Sequence, residues 1–132
     1  MEPQDVRHAM IAERNSPVER DPSGLDPHTP GAKVDAGKVR MSLVMHGFAG
    51  ALLEVGKVGT FGANKYTDNG WQTVPNGQQR YTDAMYRHLL QEEESPVDDD
   101  SGLLHAAHAA WNALARLELL LQTLAAMREE VL

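Results

Sequence analysis

The chain has no cysteine in its 132 residues, so disulfide and thiolate chemistry are excluded and a reducing cytoplasm is compatible with it. No apolar run approaches the roughly 20 residues needed to cross a bilayer. The opening MEPQDVRHAMIAER also lacks a signal-peptide core. The expectation is a protein that stays soluble where it is made, in the cytoplasm, without a membrane partner. Positive charge is in deficit, with 12 Lys and Arg against 19 Asp and Glu, for a net charge of −7. That balance argues against a nucleic-acid polymer as partner, because affinity for a duplex comes mainly from cations meeting phosphates. Local basic clusters remain able to hold the phosphates of a small nucleotide. There is no GxxxxGK[ST] loop, which excludes a P-loop nucleotidase.

What is present is organised around Arg80 to Asn112, which reads as two helices hinged through an acidic loop. At about 100° per residue, Arg80, Asp83, Arg87 and Gln91 share one strip, while Tyr81, Met85 and Leu89 stack on another face. On the following helix His105, His108, Asn112 and Arg116 share a strip, and Leu103, Leu114, Leu117, Leu121 and Leu124 line another. Two such polar seams facing each other make a slot inside a helical bundle, where bundles build metal and ligand sites. The leucines of the last helix, running on to Leu132, read as core and as an oligomer seam.

Length fits one domain, small enough that oligomerisation would help bury a core. Residues 1–41 read as an irregular, proline-punctuated arm with one short helix near Val6 to Glu13, either mobile or ordered against a neighbouring subunit; residues 42–132 form the helical domain. Within the arm Lys33, Asp35, Lys38 and Arg40 surround Gly37, a spacing that suits either a solvated loop or a polyphosphate wrap. Ser42 to Tyr66 is expected to be one helix capped by Ser42, with a kink allowed by its glycines, each costing on the order of 1 kcal/mol relative to Ala. On it Glu54, Lys57, Phe61 and Lys65 share a strip, as a salt bridge or as part of a site. The turn-rich loop that follows carries Tyr66, Asn69 and Trp71, whose ring is covered either by a stacked base or by the end of the bundle.

The loop between the two central helices holds Glu92, Glu93, Glu94, Asp98, Asp99 and Asp100, either as a solvated charge run or as metal ligands beside His105 and His108 at i and i+3. Oxygen ligands suit Mg²⁺ and Mn²⁺, and Mn²⁺ tolerates imidazole better. The two histidines also read as packed core residues, and Asp100 or Ser101 as a cap for a helix beginning near Leu103. Together these residues permit a divalent-metal phosphohydrolase centre, with Glu54 and Asp83 as carboxylates on separate helices converging on one cleft. Lys57, Lys65, Arg87 and Arg40 would then clamp phosphates.

The strings KVDAGKVR, ALLEVGKVGTFGANKYTDNGW, RYTDAMYRHLL and DDDSGLLHAAHAAWNALARLELL, in that order, resemble the phage dATP/dGTP diphosphohydrolases. These are MazG-like enzymes of the all-α nucleoside triphosphate pyrophosphatase superfamily. The resemblance implies an all-α helical bundle working as a homodimer or homotetramer. Such a bundle would use two or three Mg²⁺ or Mn²⁺ ions to cleave a purine dNTP to dNMP and pyrophosphate, in a host cytoplasm. Relatives of the MazZ type, in phages that replace adenine with 2-aminoadenine, make dGMP for the modified nucleotide, which implies dGTP as the favoured substrate. By the same resemblance Glu54, Asp83, Arg87 and Lys57 are the catalytic set, and Lys65, Tyr66, Asn69 and Trp71 contact the nucleotide. Lys33, Asp35, Lys38 and Arg40 form a phosphate-proximal arm. The wider family's Glu-Glu-x-x-Glu and Glu-x-x-Asp helices are represented here by Glu54 and Asp83 alone. Further metal ligands are then Glu92, Asp98, His105 and His108, or the metal helices pair as His88 to Glu92 with His105 to His108. The missing carboxylates keep a second reading open, a nucleotide-binding or helical interaction module without turnover.

Overall fold

A computed structural model of the chain describes residues 18–131, so the short helix expected near Val6 to Glu13 lies outside the described residues. The chain divides into two compact units, Met1–Val44 and Met45–Leu132.

In the N-terminal unit, residues 18–41 form neither helix nor strand, yet they fold around one carboxylate. Asp21 is buried, and it accepts backbone N–H groups from Ser23 at 2.7 Å, Leu25 at 3.3 Å and Lys33 at 2.8 Å. The Ala36 N–H donates to the Arg20 carbonyl at 2.9 Å, which brings the two ends of this loop together. The Lys33 amide, above all, holds the Asp21 carboxyl below its ordinary range, against the opposing effect of burial. The Lys38 ammonium pairs with Glu19 at 2.8 Å.

Helix α1 covers Ser42–Met45 and α2 Ala49–Lys65. The single helix expected over Ser42 to Tyr66 is therefore broken at residues 46–48, around Gly47, where backbone freedom makes helix least favourable. A 3₁₀ turn over Gly70–Thr73 follows, then α3 over Gly77–Gln91 and α4 over His105–Val131. Helix α4 begins two residues later than Leu103. The Asp98 N–H donates to the Leu103 carbonyl at 2.8 Å and the His105 N–H to that of Pro96 at 2.9 Å, closing residues 96–105 into a loop. An isolated bridge pairs Val97 with Leu104, and no strand occurs among the described residues. The fold is all-α.

Helix α4 packs along α3 and, over less of its length, against α2. The leucine face of α4 is not the core of this unit: Leu114 and Leu117 are each 50% exposed. The buried face instead carries Ala107, Ala109 and Ala115 together with His105, His108 and Asn112, and Val58 is buried on α2. Small side chains let helix axes approach closely, and that proximity allows polar groups to meet across the seam. Arg116 Nε donates to Thr82 Oγ1 at 2.6 Å and Gln78 Nε2 to Thr123 Oγ1 at 3.2 Å. Of the stack expected on α3, Tyr81 and Met85 are half-buried while Leu89 is exposed.

Two outcomes follow from this packing. A Cβ added at buried Gly77 would lie 2.8 Å from Leu119 Cδ1 and 3.3 Å from Tyr81 Cε2. Because Leu119 Cδ1 ends a flexible side chain, Gly77→Ala should cost about 1 kcal/mol, the low end of overpacking. For a chain of 132 residues that corresponds to a melting temperature lower by about 3–4 °C, and Leu119→Ala in the same chain should recover part of it. For Asp21, a depressed carboxyl stabilises the loop fully above its unfolded pKa of 3.8 and stops doing so as pH falls through the folded value. The amide resonances of Ser23, Leu25 and Lys33 should therefore stay fixed down to that pH and move only below it; a titration centred above it would contradict the buried carboxylate.

Candidate active site

Helices α2, α3 and α4 enclose a groove of about 1170 Å³. At one end His88 of α3 stacks on His108 of α4, with ring centroids 4.4 Å apart and planes 7° from parallel. His88 Nδ1 also lies 2.9 Å from His105 Nδ1, so one nitrogen carries the proton and the other offers its lone pair. His105 and His108 are buried. Burial, reinforced by the facing His108, pushes the His88 pKa down; burial likewise pushes down that of His108, with Asp98 opposing. Neutral imidazoles are the form that binds metal.

Asp98 anchors this end through Ser101. Its Oδ2 accepts the Ser101 N–H and lies 2.8 Å from Ser101 Oγ, which is 2.6 Å from His108 Nε2 and accepts the Leu103 N–H at 3.1 Å. With Ser101 donating to Asp98 and accepting from His108 Nε2–H and Leu103 N–H, every site on the hydroxyl is used. His108 is then a donor to Ser101, so the hydroxyl has no base to activate it and is a strut rather than a nucleophile. Burial alone would raise the Asp98 pKa, but the two Ser101 donors and the facing imidazoles outweigh it, and the carboxyl sits below its ordinary range.

His88, Asp98 and His105 each offer one ligand atom, all within 4.8 Å of one another. Two nitrogens bound in cis positions at about 2.1 Å from one octahedral ion would be about 3.0 Å apart, close to the separation of the two Nδ1 atoms. The group can hold one metal ion, and its mixed imidazole and carboxylate donors suit a transition metal such as Mn²⁺ better than Mg²⁺.

Farther along, the Lys65 ammonium bonds Asp100 Oδ2 at 2.7 Å and sits over the Phe61 and Tyr66 rings at 5.7 and 5.6 Å. That hydrogen bond raises the Lys65 pKa. The other end is aromatic. Trp71, Tyr81 and Trp111 meet edge to face, with centroids 6.3, 5.6 and 5.7 Å apart, and the Tyr81 hydroxyl donates to the Trp71 carbonyl at 2.8 Å. Burial pushes the Tyr81 phenol up.

Of the residues predicted from sequence, Asp83, Arg87, Lys65, Tyr66, Asn69, Trp71, Asp98 and His108 line the groove. Glu54, Lys57, Glu92 and His105 are not among its lining residues, although His105 reaches His88 behind it. Glu54 accepts a 2.7 Å bond from Lys57, three residues on along the same helix, while Asp83 accepts one from Gln79 at 3.0 Å. The two carboxylates expected to share a cleft are thus engaged separately. Lys33, Asp35, Lys38 and Arg40 belong to the N-terminal unit. Sequence reasoning did not single out Ser101 as a strut, or Tyr81 and Trp111 as groove walls.

The family model for the dATP/dGTP diphosphohydrolase N-terminal domain matches residues 28–128. The chain belongs to this family. A dATP/dGTP diphosphohydrolase of Salmonella phage PMBT28 is 42% identical over 81 residues, which cover 61% of this chain and 26% of that protein. The chain thus spans about a quarter of the length of the curated relative it matches. No solved structure matches. The family match takes in the three groove helices and the 96–105 loop, and so every residue of the histidine group. No helix among the described residues is long and apolar enough to cross a membrane.

A ligand that binds only the folded state raises its melting temperature. Mn²⁺ added to chelator-treated protein should therefore raise Tm with saturable dependence. His88→Ala and His105→Ala should each abolish that rise, whereas Glu54→Gln should leave it intact. A rise lost with Glu54→Gln and kept with His88→Ala would move the metal to another centre.

Proposed function

We propose that the chain hydrolyses a purine deoxynucleoside triphosphate, dGTP ahead of dATP, to the nucleoside monophosphate and pyrophosphate, in a metal-dependent reaction. The observation that carries this reading is one groove, in a chain of this family, with a metal-binding histidine group at one end and an aromatic wall at the other. Arg80, Arg87 and Lys65 line it beside them. In the reaction a water oxygen forms a bond to the α-phosphorus, the bond from that phosphorus to the bridging oxygen breaks, and pyrophosphate leaves. Arg87, Arg80 and Lys65 orient the phosphates and meet the charge that develops on the leaving group. Asp83, on the same strip of α3 as both arginines, would take the water's proton.

His88, Asp98 and His105 would hold Mn²⁺ or Mg²⁺, one ion of the two or three that the resemblance implies; when bound, it supplies charge neutralisation and a more acidic water. Glu54 and Lys57 stay outside the reacting centre as a surface pair. The exposed leucines of α4 support assembly as a homodimer or homotetramer, and the N-terminal lysines would then bind phosphate within or between subunits. In a phage host cytoplasm the dGMP formed would feed synthesis of a 2-aminoadenine nucleotide.

Incubation with each dNTP and Mn²⁺ should release pyrophosphate and the matching monophosphate, purines ahead of pyrimidines. Asp83→Asn and Arg87→Ala should each lower kcat/KM by about 10²-fold, with Glu54→Gln near wild type. Release of orthophosphate would mean that a different bond is cut, and nucleotide binding without turnover under any divalent ion would make the chain a binding module.

A further inference from the structure

Asn112 is a buried polar side chain of the groove whose hydrogen-bonding capacity is only partly used. It lies on α4 one turn beyond His108 and next in sequence to Trp111, is 5% exposed, and lines the groove. Its Nδ2 donates to the His108 carbonyl at 2.8 Å. A carbonyl oxygen only accepts, so this bond fixes which end of the carboxamide is which: the flipped amide would set two oxygens against each other. Oδ1 has no donor among the described residues, and it is not a sealed, unsatisfied atom either. It therefore opens on the groove as an acceptor held in place by the helix.

What such an acceptor takes is decided by chemistry. Ionised phosphate oxygens are acceptors too, so the polyphosphate has nothing to offer Oδ1; a base N–H or a sugar hydroxyl does. The surroundings favour the base. Trp111, the adjacent residue, meets Trp71 and Tyr81 in a wall of aromatic rings, the surface against which a planar heterocycle packs. Across from it Gly59 comes so near the Trp111 ring that a Cβ there would sit 3.5 Å from Nε1, while a Cβ at Gly56 or Gly62 would meet nothing within 4 Å. The α2 side of the groove interleaves glycines with the side chains of Val58, Phe61, Asn64 and Lys65, and the open space on it lies beside Gly56 and Gly62.

We propose that Asn112 reads the nucleobase, its Oδ1 accepting a hydrogen bond from an N–H on the edge of the purine while the Trp71, Tyr81 and Trp111 cluster walls the ring. This rests on the nucleotide reading above. It assigns to Asn112 a selectivity for purines that carry an N–H donor, as guanine and adenine do, over one that carries none. A site built to hydrogen-bond a group rejects the analogue lacking it far more strongly than an apolar pocket rejects a change of size.

The test is calorimetric titration of chelator-treated protein with Mn²⁺ and one of four probes: the triphosphates of deoxyguanosine (dGTP), of 2′,3′-dideoxyguanosine and of unsubstituted purine deoxyriboside, each with a non-hydrolysable α,β-imido bridge, or inorganic tripolyphosphate. Wild type should bind dGTP at least about tenfold more tightly than the unsubstituted purine. Asn112→Leu should bring the two within about twofold by weakening dGTP, with tripolyphosphate affinity unchanged. Equal binding of the two purines by wild type, or a ratio that survives in Asn112→Leu, overturns the assignment to Asn112 while leaving the nucleotide reading standing. So does a loss on removing the 3′-hydroxyl that matches the loss on removing the base donors. Failure of every nucleotide to bind better than tripolyphosphate overturns both. Should Asn112→Leu lose its helical circular dichroism, Asn112→Ser, too short to reach the base, takes its place with the same expected ratio.

Discussion

The structure turns on a polar seam buried between two helices. Placing His88 and His108 between α3 and α4 costs several kcal/mol unless each ring is neutral and hydrogen-bonded, and the chain meets both conditions locally. Burial keeps the His88 and His108 pKa values low, the two Nδ1 atoms share one proton at 2.9 Å, and His108 Nε2 rests on Ser101. Ser101 can serve His108 only if Asp98 takes the hydroxyl proton, and Asp98 is in place only because the 96–105 loop closes on itself through backbone bonds. One buried stack therefore dictates the conformation of the whole inter-helix loop. Ala107, Ala109 and Ala115 are buried on the same helix as the stack, small side chains of the kind that let helices approach closely.

The opposite end of the groove is fixed by different means. Two residues in left-handed backbone conformation, Asn69 and Asn76, bracket the 3₁₀ turn that carries Trp71. Asn tolerates that conformation better than most residues. The Tyr81 hydroxyl then pins the turn by its Trp71 carbonyl. Between the aromatic end and the histidine group, α2 contributes Phe61, edge-on to His108, and Gly59, set close against the Trp111 ring.

Much of this was legible in the residue pattern, and the gaps have definite causes. The 3.6-residue period placed Arg80, Asp83 and Arg87 on one strip and His105, His108 and Asn112 on another, and both strips line or back the groove. His88 falls on the Tyr81 and Met85 face, seven residues from Tyr81, so periodicity assigns it to the apolar side. Its pairing with His105 comes into view only through the resemblance, in the alternative that sets His88 to Glu92 against His105 to His108, and not from periodicity. The leucines of α4 read as core and as an oligomer seam; within one chain Leu114 and Leu117 are half exposed, and the buried apolar positions of that helix hold alanine. Glu54 illustrates a third limit: spacing shows that it can meet Lys57 on its own helix, and nothing in a linear pattern says whether a more distant partner outbids a neighbour one turn away.

Charge closes the argument about what the groove can hold. Its lining carries Lys65, Arg80 and Arg87 against Asp68, Asp83, Asp98 and Asp100, and burial keeps His88 and His108 neutral. Lys65 is, moreover, already committed to Asp100. Such a lining is slightly anionic. A nucleoside triphosphate with nearly four negative charges would be repelled by it, not drawn in, if it came alone. The same lining favours a divalent cation, and a cation held at the His88, Asp98 and His105 group, as proposed above, would offset that repulsion. On the proposed reading, that surplus of carboxylates within one groove would make polyphosphate binding depend on metal. On the same reading Arg87, and Arg80, whose guanidinium also bonds the Pro75 carbonyl at 3.3 Å, would act on a complex whose charge has already been reduced.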